Sequence, residues 1–474
     1  MKKLLLWLVT LMLVVSMVAT FSLVGCKAAP VAVEGEKVEE EVTTEEEPES
    51  EKTMEEAEAT KSNEDYKGQV KMWTFLNPQG TSARELALNE IIQNFERDFP
   101  NVDIVVEPQQ WDLMTAKFLA ASQTGEAPDV VWVHPDQLGP VINQGALEPF
   151  ENLFLKDWSD EDMADVEDGY WNFGVKDGKH HQIGLTRNLY LIYYREDLFN
   201  EKGIEAPIET WDEFIEVAKM LTEEDPETGL QRYGFGMPMS DTAADPGLFP
   251  ALLLYEQGER YTESGEPLWA TEAGVRAMKI QTDMVKEHGV TPDSVVYDTT
   301  EDAVNDFAAG KYGMIYAISS RMRQIQESAV FDPSVIKMML LPTYDGVGNS
   351  PLIVGGWCIG VWSGGQNKEA AGKFVEFMFN KESDSIWLTV GGQVPTRKST
   401  IEANQEFLSD PLNSFFATVA EGFQYAAFQP TEFSTNGYKD VQARAAQNII
   451  INNMPIMEAL EQAEEEFIEI NEGN

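Results

Sequence analysis

Apolar positions along this chain switch repeatedly between the period of a strand and that of a helix. Val70 to Phe75 reads as a strand. After the loop Leu76 to Thr81, Ser82-Ala83-Arg84-Glu85 forms a capping box, and Leu88, Ile91, Ile92, Phe95 and Phe99 then share one helical face until Pro100 stops it. A second strand is predicted over Val102 to Val106, a second helix from about Asp112 to Ser122, and a third strand over Asp129 to Val133. Strand, helix, strand, helix, strand implies a parallel sheet with right-handed crossovers. Ligands of such sheets sit beyond the carboxyl ends of the strands, here at the loops Leu76 to Thr81 and His134 to Leu138.

The same grammar then starts again. Leu189 to Tyr194 is a further strand, and Thr210-Trp211-Asp212-Glu213 is a second capping box. It leads a helix whose Phe214, Val217, Ala218 and Leu221 share a face. A helix near Glu301 to Ala309, strands at Tyr312 to Ile318 and Val335 to Leu341, and a helix at Lys368 to Asn380 follow. No fixed-period repeat runs through them, so the pattern describes two α/β lobes and not a solenoid.

The first 65 residues follow other rules. Lys2 and Lys3 precede an almost wholly apolar run from Leu4 to Val18, the form of a secretory signal. Leu23-Val24-Gly25-Cys26 then resembles the bacterial lipoprotein box, which implies cleavage after residue 25 and a multiply acylated Cys26, palmitate among its chains. Residues 34–65 hold 15 acidic and 3 basic side chains with few apolar ones, the composition of an extended, disordered tether spanning residues 26–65. The formal charge of the whole chain is −47, and the body beyond the tether stays strongly acidic. That argues against nucleic acid as a partner and tilts against an anionic ligand, unless a local basic pocket overrides the long-range repulsion. Cys358 is the one further cysteine and lies in the apolar stretch Val354 to Val361, so no disulfide framework is expected.

Several segments, in order, resemble the maltose-binding-protein-like family of carbohydrate solute-binding proteins: Lys71 to Phe75, Lys117 to Val131, Leu191 to Phe199, Gly310 to Met314, Leu341-Pro342-Thr343 with Gly355-Gly356, and a closing helix at Ile449 to Phe467. The resemblance implies the two-lobed periplasmic-binding-protein fold, α/β throughout. Its first lobe would comprise residues 66–187 and 357–400, and its second residues 188–356 and 401–474. Three crossings join them, near Arg187 to Asn188, Gly355 to Trp357 and Thr396 to Glu402, and a hinge closes the lobes around ligand. It further implies a monomeric receptor that delivers a mono- or oligosaccharide to the permease of an ABC importer from the extracytoplasmic side of a bacterial membrane. No cofactor and no catalysis are involved.

A pyranose offers an apolar C–H face and a ring of hydroxyls, so its site needs an aromatic plate and planar polar side chains. Trp73, Trp132 and Trp357 lie at strand ends facing the expected cleft, with Phe75 and Asn77 at the end of the first strand; each of the three indoles could equally pack the core. Asp136 matches the family's sugar-binding carboxylate. Asn188 stands where relatives often carry an acidic sugar ligand, with Arg187 beside it. Ser319, Ser320 and Arg321 end a second-lobe strand where the family usually has a Gly-aromatic pair, which moves stacking to Trp357 or to Phe423, Tyr425 and Phe428. Gly356 would let backbone approach the ligand or serve only the hinge. Asp241 and Asp245 reach the cleft or cap a turn.

Hydrolase elbows, phosphate loops, Cys-x-x-Cys and His-Glu-x-x-His are all missing from the sequence. His180 and His181 are adjacent, a poor geometry for one metal, and are expected on the surface; no metal site is predicted. A glycan-cleaving enzyme would share the aromatics and carboxylates but not this order of motifs. A sensor, or a receptor for an acidic or non-sugar solute, would share the motifs too. Arg187 and Arg321 favour an anion, whereas the overall charge favours a neutral or cationic ligand.

Overall fold

The computed structural model describes residues 62–472 apart from 172–173, 225–228, 243–244 and 431, and it leaves out the side chains of Asp136, Asp168 and Arg187. The leader, Cys26 and the tether up to residue 61 therefore lie outside the described residues. Strand β1 (Gly68–Thr74) leads into helix α1 (Ala83–Asp98), where the Ser82 N–H and hydroxyl both donate to Glu85 Oε2, at 3.1 and 2.7 Å. Strand β2 (Val102–Pro108), helix α2 (Met114–Thr124) and strand β3 (Val130–Val133) follow, with β2 and β3 both parallel to β1 as the alternation predicts. Ala87, Leu88, Ile91, Ile92 and Phe95 of α1 are buried, and Phe95 stacks on Phe99 with centroids 4.6 Å apart.

Strand β4 (Ile183–Arg195) is a single strand of 13 residues and starts six residues before the predicted one. The second half of the chain adds helix α3 (Trp211–Leu221), strand β5 (Gln231–Gly236), helices α4 (Glu272–Lys286) and α5 (Thr300–Ala308), strand β6 (Tyr312–Ile318), helix α6 (Met322–Ser328), and strands β7 (Ile336–Met339) and β8 (Leu352–Val361). Helices α7 (Lys368–Met378), α8 (Lys381–Thr389), α9 (Tyr438–Ile451) and α10 (Ile456–Asn471) complete the elements that matter here. Two local expectations need correction. The Thr210 hydroxyl caps α3 by accepting from Glu213 N at 3.2 Å, but the Glu213 carboxylate accepts from Glu209 N, so the box is one residue wider. The expected closing helix is two helices, broken at residues 452–455, where Asn453 takes φ +53° and Pro455 withholds an N–H donor.

One sheet runs through the body in the order β2-β1-β3-β8-β4-β6-β5, with β7 also pairing β4. The first half of β4 pairs antiparallel with β8, as in Gly355 with Asn188, and its second half pairs with β6, as in Tyr190 with Ile318. Helices press close to this sheet: a Cβ on Gly234 of β5 would come 1.8 Å from the Ala218 carbonyl of α3, so only glycine permits that approach. A buried polar knot ties residues 396–399 to the frame. Asp384 accepts from Thr396 N and Oγ1 and from Arg397 N at 2.7–3.0 Å, while Arg397 Nη1 meets Asp165 at 3.0 Å.

Asp298 sits between Ser240 and α5, and burial, followed by the nearby Asp306 and Asp302 charges, pushes its carboxyl up to about 6. The folded chain thus holds this proton where the unfolded chain has lost it, so Asp298 erodes stability as pH rises from about 4 to 6. Asp298→Asn is expected to raise the unfolding free energy at pH 7 by on the order of 1 kcal/mol, discounted for partial exposure, and to change it little at pH 4. Denaturant titrations of both proteins at the two pH values check the sign; a variant weakened at pH 7 would contradict it.

Candidate functional site

At the point where β4 passes from β8 to β6, the chain encloses a cavity of about 310 Å³, at the small end of the usual range for small-molecule sites. Its floor is built by a defect in pairing. Trp357 faces Thr186 and Cys358 faces Gly184, so Leu185 is an extra residue in β4 and the ladder bulges. Gly356 makes the bulge possible: its φ is +132°, and a Cβ there would lie 1.8 Å from the Thr186 carbonyl. The Trp357 N–H donates to Thr186 Oγ1 at 3.0 Å, and its indole reaches the cavity wall. Phe75 packs on that indole with centroids 4.8 Å apart, and His134 meets it edge-on at 5.3 Å.

Polar groups share the cavity with this apolar plate. Thr186, Asn188 and Tyr190 alternate along β4 and all line the cavity. The Asn188 Oδ1 accepts from Ser319 Oγ at 3.1 Å, which fixes the amide and leaves its N–H donors to the cavity. The Tyr190 hydroxyl donates to Asp245 Oδ1 at 2.8 Å, while the buried Oδ2 of Asp245 has no hydrogen-bond partner among the described residues. Three longer helices also point their first turns here, through Arg84 of α1, Thr300 and Glu301 of α5, and Lys439 of α9. Arg321, just before α6, donates to Gln324 Oε1 at 2.9 Å and lies 3.2 Å from Glu301 Oε2. Arg84 makes no hydrogen bond or ion pair with a described residue. Its closest charge-relevant contact is the Phe75 ring, 5.3 Å from its Cζ, and burial together with the Arg321 charge holds its guanidinium down to about 10.

Of the residues expected from sequence, the cavity gathers Phe75, Asn188, Ser320, Arg321, Gly356 and Trp357. Ser319 stands one step behind, as the partner of Asn188. The others lie elsewhere. Trp132 is fully buried in the core, because β3 is covered on both faces. Trp73 turns its indole N–H to Glu107 at 2.8 Å and its ring under Lys117, away from the cavity. Asn77 shapes its own loop by accepting from Gln79 N. Tyr425 sits in a short helical turn before the two residues that pair with the start of β8. Asp241 lines an adjoining cavity of about 390 Å³ and lies 3.6 Å from Arg444. Asp136 occupies the turn after β3, next to His134, and Arg187 pairs through its backbone with Gly356; their side chains are outside the described residues. Neither His180 nor His181 is a free surface group: His180 Nδ1 is 2.7 Å from Glu151, and His181 Nδ1 is 3.0 Å from the Leu147 carbonyl.

Arg84, Trp111, Thr186, Tyr190 and Lys439 are wall residues that the sequence reading did not single out, while His134 opens one of the two loops it placed at the ligand. Trp111, His134 and Lys439 also line the 390 Å³ cavity, so the two spaces adjoin. Among the described residues no three His, Cys, Asp or Glu side chains gather to hold a metal ion, and no helix is long and apolar enough to cross a membrane.

The model of the bacterial extracellular solute-binding proteins matches residues 90–414. The chain belongs to that family. It is accordingly a binding protein and not an enzyme. A binding protein of Brucella abortus is 24% identical over 368 residues, covering 76% of this chain and 84% of its own. An arabinooligosaccharide-binding protein of Halalkalibacterium halodurans is 21% identical over 74% of this chain and 81% of its own. The GacH receptor of Streptomyces glaucescens, solved unliganded and with acarbose, is 21% identical with a TM-score of 0.71, covering 86% of this chain and 99% of the receptor. The likeness of fold is that of the two-lobed periplasmic binding proteins, as the resemblance in the sequence implies.

Proposed function

We propose that the chain is the sugar-capturing lipoprotein of an ABC importer, tethered through Cys26 and presenting a mono- or oligosaccharide to its permease as a monomer. The observation that carries this reading is the pairing of an aromatic plate, Trp357 on Phe75, with the hydroxyl-sized donors and acceptors of Thr186, Asn188 and Asp245 across one small cavity. That is the complement of a pyranose, apolar on its faces and polar around its rim. The adjoining cavity leaves room for further sugar units. Relatives named for arabinooligosaccharide binding and solved with acarbose are in keeping with it.

In this reading residues 66–187 with 357–400 form one lobe and residues 188–356 with 401–474 the other. Strands β4 and β8 and the segment after Thr396 are then the three crossings, and ligand touching both sides would favour the closed form. Leu23-Val24-Gly25-Cys26 supplies the anchor and the acidic run to residue 65 the reach. A thermal-shift screen of the full chain against saccharides, amino acids and polyamines tests the function. One saccharide series at a hundred times its dissociation constant is expected to add ~2.7 kcal/mol. Stabilisation by amino acids or polyamines alone would replace the sugar with another solute.

A further inference from the structure

The cavity carries more positive charge than a neutral sugar needs. Arg84, Arg321 and Lys439 line it beside Asp245 and Glu301, in a chain whose total is −47. Arg321 already has Glu301 at 3.2 Å, whereas Arg84 feels the Glu85 and Glu301 charges without a direct ion pair to any described residue. An arginine in the first turn of a helix also works against the helix dipole, which disfavours cations there. Burial and the Arg321 charge depress the Arg84 guanidinium, and the Glu85 and Glu301 charges offset that only in part. An anion between the two arginines would offset it, and the first turns of α1, α5 and α9 add their N–H dipoles to the same space.

We propose that the solute is an acidic saccharide, a hydroxylated ring whose carboxylate is bound by Arg84 and Arg321 while Trp357 and Phe75 support its apolar face. The inference rests on the sugar reading above and names its chemical branch. Asp245, whose Oδ1 accepts from the Tyr190 hydroxyl, stands in the same wall as an acceptor for the ring's hydroxyls. The strongly acidic body repels anions only over distance, and at physiological salt that field is screened beyond about 8 Å, so the groups lining the cavity decide.

Isothermal titration of the full chain with matched pairs tests this: glucose and glucuronate, galactose and galacturonate, their di- and trisaccharides, and glucose 6-phosphate. Uronates are expected to bind at least tenfold more tightly than their neutral partners. Arg84→Gln and Arg321→Gln are each expected to weaken uronate binding at least tenfold and to narrow the gap between each uronate and its neutral partner. Neutral sugars that bind as well as their acids, with Arg84→Gln silent, would overturn the acidic assignment and leave the sugar reading standing. Binding of glucose 6-phosphate without the uronates would overturn the carboxylate. Silence from every saccharide would overturn both readings.

Discussion

Gly356→Ala is expected to lower the unfolding free energy by about 3 kcal/mol or more and to abolish solute binding. The backbone at this position has φ +132°, a region that side-chain-bearing residues rarely enter, and the new Cβ would lie 1.8 Å from the Thr186 carbonyl. That obstacle is main chain of a paired strand and cannot rotate aside. Either β4 or β8 must move, and with it goes the bond from Trp357 N–H to Thr186 Oγ1 that aims the indole. Gly355→Ala provides the contrast, because its nearest obstacle is the terminal methyl of Ile318 at 2.5 Å, which can turn away. Denaturant unfolding and fluorescence titration of both variants check the difference. A Gly356→Ala protein with unchanged midpoint and affinity would show that the bulge is not what builds the cavity.

Trp357→Ala is expected to remove measurable binding, with a destabilisation of about 3 kcal/mol from the space left beside Phe75 and His134. Only 9% of the residue is exposed, so part of the loss belongs to packing. Trp357→Phe separates the two effects. A smaller ring keeps the packing to within about 1.5 kcal/mol but shrinks the plate, and affinity is expected to fall about tenfold. Equal affinity for the phenylalanine variant and the native chain would mean that the ligand does not stack on this side chain.

The first half of the fold is legible because its signals are local. Ser82 and Glu85 meet at three residues' spacing whatever the rest of the chain does, and the apolar face of α1 needs only one sheet to pack on. Registers are not local. Trp132 and Trp357 read alike as apolar strand residues and both strands are buried throughout, yet only Trp357 sits at the bulge and lines the cavity. Strand β4 escapes at its beginning for the opposite reason. Thr186 and Asn188 are polar because their face is the cavity wall, so a pattern that equates strand with apolar residues starts at Leu189 and misses them. Arg84 is hidden inside a capping box that explains its neighbours but not itself. A cation in a helix's first turn was the available signal. His134 opens the loop already expected at the ligand, whereas Lys439 had no signal, since only the fold brings the start of α9 to the turn after β3.

The buried Cys358 gives β8 a chemical clock. Enclosure pushes the thiol well above its ordinary range, and it lies on the same strand as Gly356 and Trp357, one residue beyond the bulge. A thiol so enclosed is inert toward alkylating reagents while the strand stays paired. Its labelling rate therefore counts the openings of β8 that expose it, and solute held against Trp357 should slow that count.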